Sequence, residues 1–447
     1  MAIGRYNRPP IFGAPMLAHC NRWLLPAAVV YLAVMVTNAL NFWRSVSFTV
    51  GGICAAIVVI AGLRGKAPRV PGPGRVLLAS YVAWCLWSLA SVTWSIRPHY
   101  SMGQLRGEVF WTSAVVLMIY VAAADARAFR IMVYAVLGTF GLSAAFAVLL
   151  QISGLGWDPG RWHLGVGPWT TYLVLVAPLL LLLVVPPPVG LAWNRRSYVF
   201  AGSLLALILT TARIADNRMV WVGLATTIVV AGVLATFRWR RAHTHAARLR
   251  WLLPLMLLLI VAASALFTDA AREKAQVFFP PDTSIAQTLS EDPRLALWEH
   301  MVSHIRERPW IGYGFGRAIL ASELRSELGD PLLWHAHNMF GSQWLQTGAI
   351  GLFLFTCVLA AMAARYVGFY RSPDDAMAVL GMIGLAMLAG FLVKNLTDDF
   401  LFRANAKHFF ALNALLIGWG MRRMRAATPA TAVKNVSAVG ARAAEAG

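Results

Sequence analysis

The chain has 447 residues, 59% of them hydrophobic and only 13% charged, whereas soluble domains carry about 25% charge and 45–50% apolar residues. That balance excludes an ordinary soluble enzyme and marks an integral membrane protein. The net charge of +20 is dispersed between apolar runs, which argues against a nucleic-acid surface and fits a positive-inside bias.

Residues 1–22 are polar and basic and read as a cytoplasmic N-terminus, with no cleavable signal peptide apparent. A span needs roughly 20 mostly apolar residues rising 1.5 Å each. Candidate cores follow at Trp23–Leu40, Val46–Leu63, Val76–Val92, Val109–Ala124, Ile131–Ile152, Pro168–Val185, Tyr198–Ala212, Met219–Phe237 and Trp251–Phe267, then at Met339–Ala363, Ala376–Val393 and Phe409–Met421. The runs are continuous and do not alternate, so they predict helices and not barrel strands. The expectation is an all-α polytopic membrane protein of about twelve transmembrane helices. Helices one to nine lie in 23–267 and ten to twelve in 339–425, and an Ala-rich 426–447 is expected as a disordered cytoplasmic tail. Cys20, Cys54, Cys85 and Cys357 form no C-x-x-C pair, so neither a disulfide framework nor a cysteine zinc site is expected.

With the N-terminus inside, every alternate loop is basic: Arg64, Lys66, Arg69 and Arg75; Arg127 and Arg130; Arg195 and Arg196; Arg238 to Arg250; Arg365 and Arg371; then Arg422, Arg423 and Arg425. The short outer loops are poorer in cations. One outer segment, 268–338, is long enough for a small helical periplasmic subdomain between helices nine and ten. Within it Leu295, Trp298, Met301, Val302 and Ile305 recur at helical spacing. Pro309 ends that helix, and Gly312-Tyr-Gly-Phe-Gly316 reads as a tight turn. No strand of a βαβ unit precedes it, which disfavours a phosphate cradle.

Chemistry concentrates at Trp334–Gly351, where His335, His337 and Asn338 meet a long apolar run. Three readings stay open. His300 and His304, at i, i+4, would combine with His335 and His337 as metal ligands. Alternatively a histidine takes a proton from an attacking hydroxyl, with Asn338 capping the helix that begins at Met339. The bland reading is a pair of interfacial histidines. Outward-facing arginines add a second feature: Arg161 beside His163, Arg213 and Arg218 in a short loop, and Arg294 opening the subdomain helix. A guanidinium fork suits phosphate oxygens, while pairing with Asp216, Glu291 or Asp292 is the plainer role. Lys394-Asn-Leu-Thr-Asp398-Asp399 either cancels its own charge or lends a carboxylate to orient a histidine. Most of the 18 tryptophans belong to interfacial belts, but Trp157, Trp162 and Trp169 would also suit a sugar-binding cleft.

Several pieces together resemble the O-antigen ligase and O-antigen polymerase superfamily. His337-Asn338, nine residues, then Gly348-Ala-Ile-Gly351 is similar to the pattern H-[N/S/Q]-x9-G-x-x-G, although Leu352 and Phe353 stand where threonines often follow. Arg294-Leu-Ala-Leu-Trp298 with Arg308-Pro-Trp-Ile-Gly-Tyr-Gly-Phe-Gly316 resembles its R…W…P-x-x-G-x-G-x-G block. Asn217-Arg218 stands where Ser-Arg usually opens a span, and Ser91-Val-Thr-Trp-Ser95 is similar to the W-S stretch after the third span.

The resemblance implies a C-type glycosyltransferase-like fold in the bacterial inner membrane, with its active site on the periplasmic side. It implies His337 as the catalytic residue and Arg218 and Arg294 as contacts to an undecaprenyl-diphosphate-linked O-antigen donor. Arg161, His335, Asn338 and Asp398 are expected around the substrates, Asp398 or Asp399 matching an acidic residue of the penultimate span. The implied reaction moves O-antigen polysaccharide onto lipid A–core with inversion. The phospho-sugar bond is already activated, so no cofactor or metal is expected, and the partners are the two lipid substrates and membrane lipids. An O-antigen polymerase is the alternative within the superfamily and a secondary transporter the alternative from another class.

Overall fold

A computed structural model describes residues 14–184, 195–242, 293–329, 334–399 and 401–445. Among the described residues the regular structure is helical throughout, with no strand. The helices, in chain order, are α1 (Ala14–Val34), α2 (Asn41–Leu63), α3 (Arg75–Ala90), α4 (Pro98–Ala122), α5 (Ala126–Ile152), α6 (Pro159–His163), α7 (Val166–Val184), α8 (Arg195–Ile214) and α9 (Arg218–Ala242). Then come α10 (Pro293–Glu307), α11 (Ala321–Leu328), α12 (Met339–Tyr370), α13 (Asp375–Lys394) and α14 (Arg403–Glu445). Ten are long and apolar enough to cross a membrane, and the chain is a multi-pass membrane protein. They coincide with ten of the twelve expected runs. The run Trp251–Phe267 lies outside the described residues, and Phe409–Met421 lies within α14.

Two boundaries differ from expectation. The fourth span begins at Pro98 and not at Val109. Arg106 and Glu108 interrupt the apolar run but not the helix, which passes through a π-helical turn at Arg106–Phe110. Glu108 therefore stands inside a span. At the other end α14 continues to Glu445, so the stretch expected as a disordered tail is helical up to that residue, as its alanine content favours.

Asp375–Lys394 is the most enclosed span; α7, α9, α12 and α14 surround it. Lipid offers no hydrophobic drive between helices, so close fit and buried polar bonds must hold them. Tyr366 of α12 supplies one, donating to Asn413 Oδ1 of α14 at 2.6 Å. Asp125, Asp158, Asn338 and Asp374 N-cap their helices through side-chain oxygens, the Asn338 cap being the one expected from the sequence.

The connections gather at two ends. At one, Tyr120 bonds the Pro71 carbonyl, Arg422 bonds the carbonyls of Tyr120 and Val121, Arg423 pairs with Asp374 and Arg238 with Asp375. This is the end that loop charge marks as inside. At the other, Asn38 N–H bonds Trp162 O at 3.0 Å, Ile96 N–H bonds Tyr313 O at 3.1 Å and Asn338 Nδ2 bonds Leu396 O at 2.8 Å. A small second core of Leu297, Met301, Tyr313, Ile319, Leu320 and Leu324 joins α10 and α11 to this end. On α10 the buried side is Leu297 and Met301, while Leu295 and Val302 are exposed.

Candidate active site

The site begins with a broken helix. Inside α12, Gly348 adopts φ 68°, ψ −175°, a conformation open essentially to glycine alone. The ladder of α12 opens there, and the segment after α10 moves in. Ala349 N–H bonds Pro309 O at 2.8 Å, Tyr313 N–H bonds Leu345 O at 2.9 Å and Gly314 N–H bonds Gln346 O at 2.9 Å. Gly312, Gly314 and Gly316 all have positive φ. A Cβ on them would strike Leu345 O, Ser95 and Tyr100 respectively, and one on Gly348 would strike the Trp310 carbonyl. The glycine turn is thus a loop threaded into a membrane helix, not a free hinge. The 91–95 stretch closes it from the other side: Ser91 Oγ accepts from Phe315 N–H at 3.1 Å, and Trp94 Nε1 donates to Ile311 O at 2.9 Å.

About three turns before the break, Asn338 Oδ1 caps α12, accepting from Phe340 and Gly341 N–H at 2.9 Å each. Its amide nitrogen reaches Leu396 O, tying α12 to the end of α13. This is the cap the sequence predicts. His337, immediately before it, has φ 47°, a left-handed conformation uncommon for a residue with a side chain. Its own N–H donates to His335 Nδ1 at 3.1 Å. The two imidazoles lie with centroids 3.8 Å apart. His335 is buried and His337 half-buried as a whole residue, with both His337 ring nitrogens buried.

Behind the histidines sits a residue the sequence reading passes over. Arg317 Nη2 donates to His335 Nε2 at 2.7 Å, and its Nε pairs with Asp399 Oδ2 at 3.3 Å. Its guanidinium lies 5.1 Å from the Trp334 ring centre and 4.5 Å from that of Phe402. Burial holds the Arg317 guanidinium below its ordinary range, opposed by Asp399 and Asp398. Burial likewise raises the Asp399 carboxyl, opposed by Arg317. A neutral imidazole accepts at one nitrogen only, so the His335 ring takes either the Arg317 or the His337 donor, and packed between them it braces the corner. The available signal was a cation directly after the last glycine of the turn.

The remaining predicted residues divide. Asp398 turns to buried Lys394, 3.4 Å away; Asp399 is the carboxylate that joins the histidine corner. Arg218 opens α9 at the same end, where Gly223, in the second turn of α9, lies against Gly390 and Lys394 of α13. Arg294 is in the first turn of α10, and its side chain lies outside the described residues. Arg161 is exposed at the α6 corner, 4.9 Å from the Trp162 ring centre, with no described contact to His337. Trp157 and Trp169 are buried around His163 and do not line an open cleft.

The four-histidine arrangement does not form. His304 turns to Glu327 at 3.1 Å and His300 to Ala296 O of its own helix. Among the described residues no group of three or more His, Cys, Asp or Glu is set to hold a metal.

Comparison with curated proteins gives no match. Residues 198–356 match the family model described as O-antigen ligase, a stretch that takes in Arg218, α10, the glycine loop, His337, Asn338 and the break at Gly348. On that match, the stretch 198–356 is similar to the O-antigen ligase family.

Proposed function

We propose that the protein is an O-antigen ligase of the bacterial inner membrane, working at its periplasmic face. It transfers polysaccharide from undecaprenyl diphosphate to a sugar hydroxyl of lipid A–core. The observation that carries this reading is the His337 corner. The His337 imidazole, with both ring nitrogens buried, is fixed by a left-handed backbone, a helix cap and a buried brace, at the end of the bundle poorer in cationic loops. His337 takes the proton of the acceptor hydroxyl. The freed oxygen forms a bond to the anomeric carbon, the bond from that carbon to the diphosphate oxygen breaks, and configuration inverts. Undecaprenyl diphosphate leaves with the electron pair. Arg218 and Arg294 meet the charge developing on the diphosphate, the kind of electrostatic contribution that dominates such steps.

The test is transfer by the purified protein in vesicles holding both lipids and no energy source. Glycan appearing on lipid A–core supports the ligase. Glycan appearing only on a second undecaprenyl-linked acceptor supports a polymerase, and no transfer returns the question to transport. His337→Ala retaining full activity would overturn the assigned base.

A further inference from the structure

One buried acid at the same end has no part in the chemistry above. Glu108 stands within α4, in the π-helical turn Arg106–Phe110, and is buried. An ionisable residue inside a span is costly and carries a functional presumption, and π-turns cluster at functional sites because they re-aim a side chain. The Glu108 carboxyl accepts the backbone N–H of Arg403, the first residue of α14. Its Oε1 meets no hydrogen-bond donor. That carboxyl lines a cavity of about 10 Å³ together with Arg317, Asp399, Gln343 and Gln346, room for about one water.

We infer that Glu108 is a positioning residue of the transfer site: with Asp399 it brackets Arg317 and keeps the guanidinium turned toward His335. This rests on the reading of His337 as the base. Asp399 holds Arg317 at Nε and His335 takes Nη2, so two directions of the guanidinium plane are fixed. A second carboxyl across a one-water cavity fixes the third, from a different helix. Without it the arginine is drawn toward Asp399 and Asp398 alone, or outward to the anionic donor. Capping α14 does not explain the arrangement, since a cap uses one oxygen and needs no charge. The charged and titratable groups around Glu108 are Arg317, Asp399, Arg403, Tyr100 and Lys407, and of these Arg317 is the one that touches the histidine pair.

The experiment compares wild type, Glu108→Gln, Glu108→Asp and His337→Ala in the full-length protein, in vesicles with both lipid substrates. Glu108→Gln keeps the cap acceptor and the volume. Its kcat is expected to fall at least tenfold, with donor KM nearly unchanged and the pH–rate profile displaced. Glu108→Asp keeps the charge and is expected to recover part of kcat, and it carries the test should Glu108→Gln fail to fold. Wild-type kcat and pH profile in the folded variant, with His337→Ala inactive, would make Glu108 a cap and sink the inference alone. An active His337→Ala would instead sink the reaction assignment. In that case a stability cycle of Glu108→Gln with Arg317→Met decides the contact, non-additivity supporting it and additivity overturning it.

Discussion

Arg317 Nε and Asp399 Oδ2 lie 3.3 Å apart with both side chains buried, and the same guanidinium holds His335. Both members of this pair are pushed toward neutrality by burial against each other's charge. Desolvation of such a pair often exceeds its attraction, so its presence points to function more than to stability.

That difference is measurable. Removing one partner strands the other charge, so Asp399→Leu should destabilise the protein by roughly 3–5 kcal/mol. Replacing both, Arg317→Met with Asp399→Leu, should restore the melting temperature close to wild type or above it, while transfer stays lost because His335 loses its brace. Thermal melts in detergent beside the transfer assay separate the two effects. A double variant that regains activity would show the pair to be structural only.

Gly348→Ala addresses the helix break. The backbone conformation is essentially closed to a residue with a side chain, a strain of about 1–3 kcal/mol, and the added methyl would strike the Trp310 carbonyl. Either α12 straightens and expels the 309–316 loop or the protein fails to assemble. Gly351→Ala is the control without the backbone strain, although its methyl would still strike Thr347 Oγ1 and Cβ of the preceding turn, so Thr347 must shift. The expectation is loss of transfer and a lowered melting point for Gly348→Ala, with a smaller effect at Gly351.

How much of this was legible follows from distance along the chain. The Asn338 cap was readable because a cap is set by the next three residues. Ten spans were readable because each apolar run declares itself. Arg317 and Asp399 were not paired in advance, since two whole spans, α12 and α13, separate them and nothing local in either segment names the other. The glycine turn was recognised as tight, but its partner, the opened ladder of α12, exists only in three dimensions. Glu108 fell outside the apolar-run criterion because its own charge, with that of Arg106, truncated the run that contains it.

His163 gives a pH prediction. Its ring is buried beside Trp157 and Trp169, and burial pushes its pKa down to about 4, opposed by a hydrogen bond to Val36 O. The folded state therefore favours the neutral ring. Its contribution is complete above the unfolded value near 6.5 and is lost as pH falls from about 6.5 to about 4, on the order of 3 kcal/mol in total. The melting temperature should drop by several degrees between pH 7 and pH 5. Part of that drop should vanish in His163→Phe, which fills the space and does not titrate. An identical drop in the variant would assign the effect to other groups.

Asn338 performs two tasks that substitution can separate. Its Oδ1 caps α12 and its Nδ2 ties the corner to Leu396 O. Asn338→Ser keeps a capping oxygen and loses the tie, whereas Asn338→Ala loses both. Loss of the cap alone costs about 1 kcal/mol, so Asn338→Ala should melt a few degrees below Asn338→Ser. Activity should follow the tie. His337 is the next residue and holds a strained φ of 47°, which persists only while its neighbours are anchored. Both variants should therefore lose most of kcat, and to a similar degree, although they differ in stability. If Asn338→Ser transfers glycan at the wild-type rate, the link to Leu396 is dispensable and the cap alone orients His337.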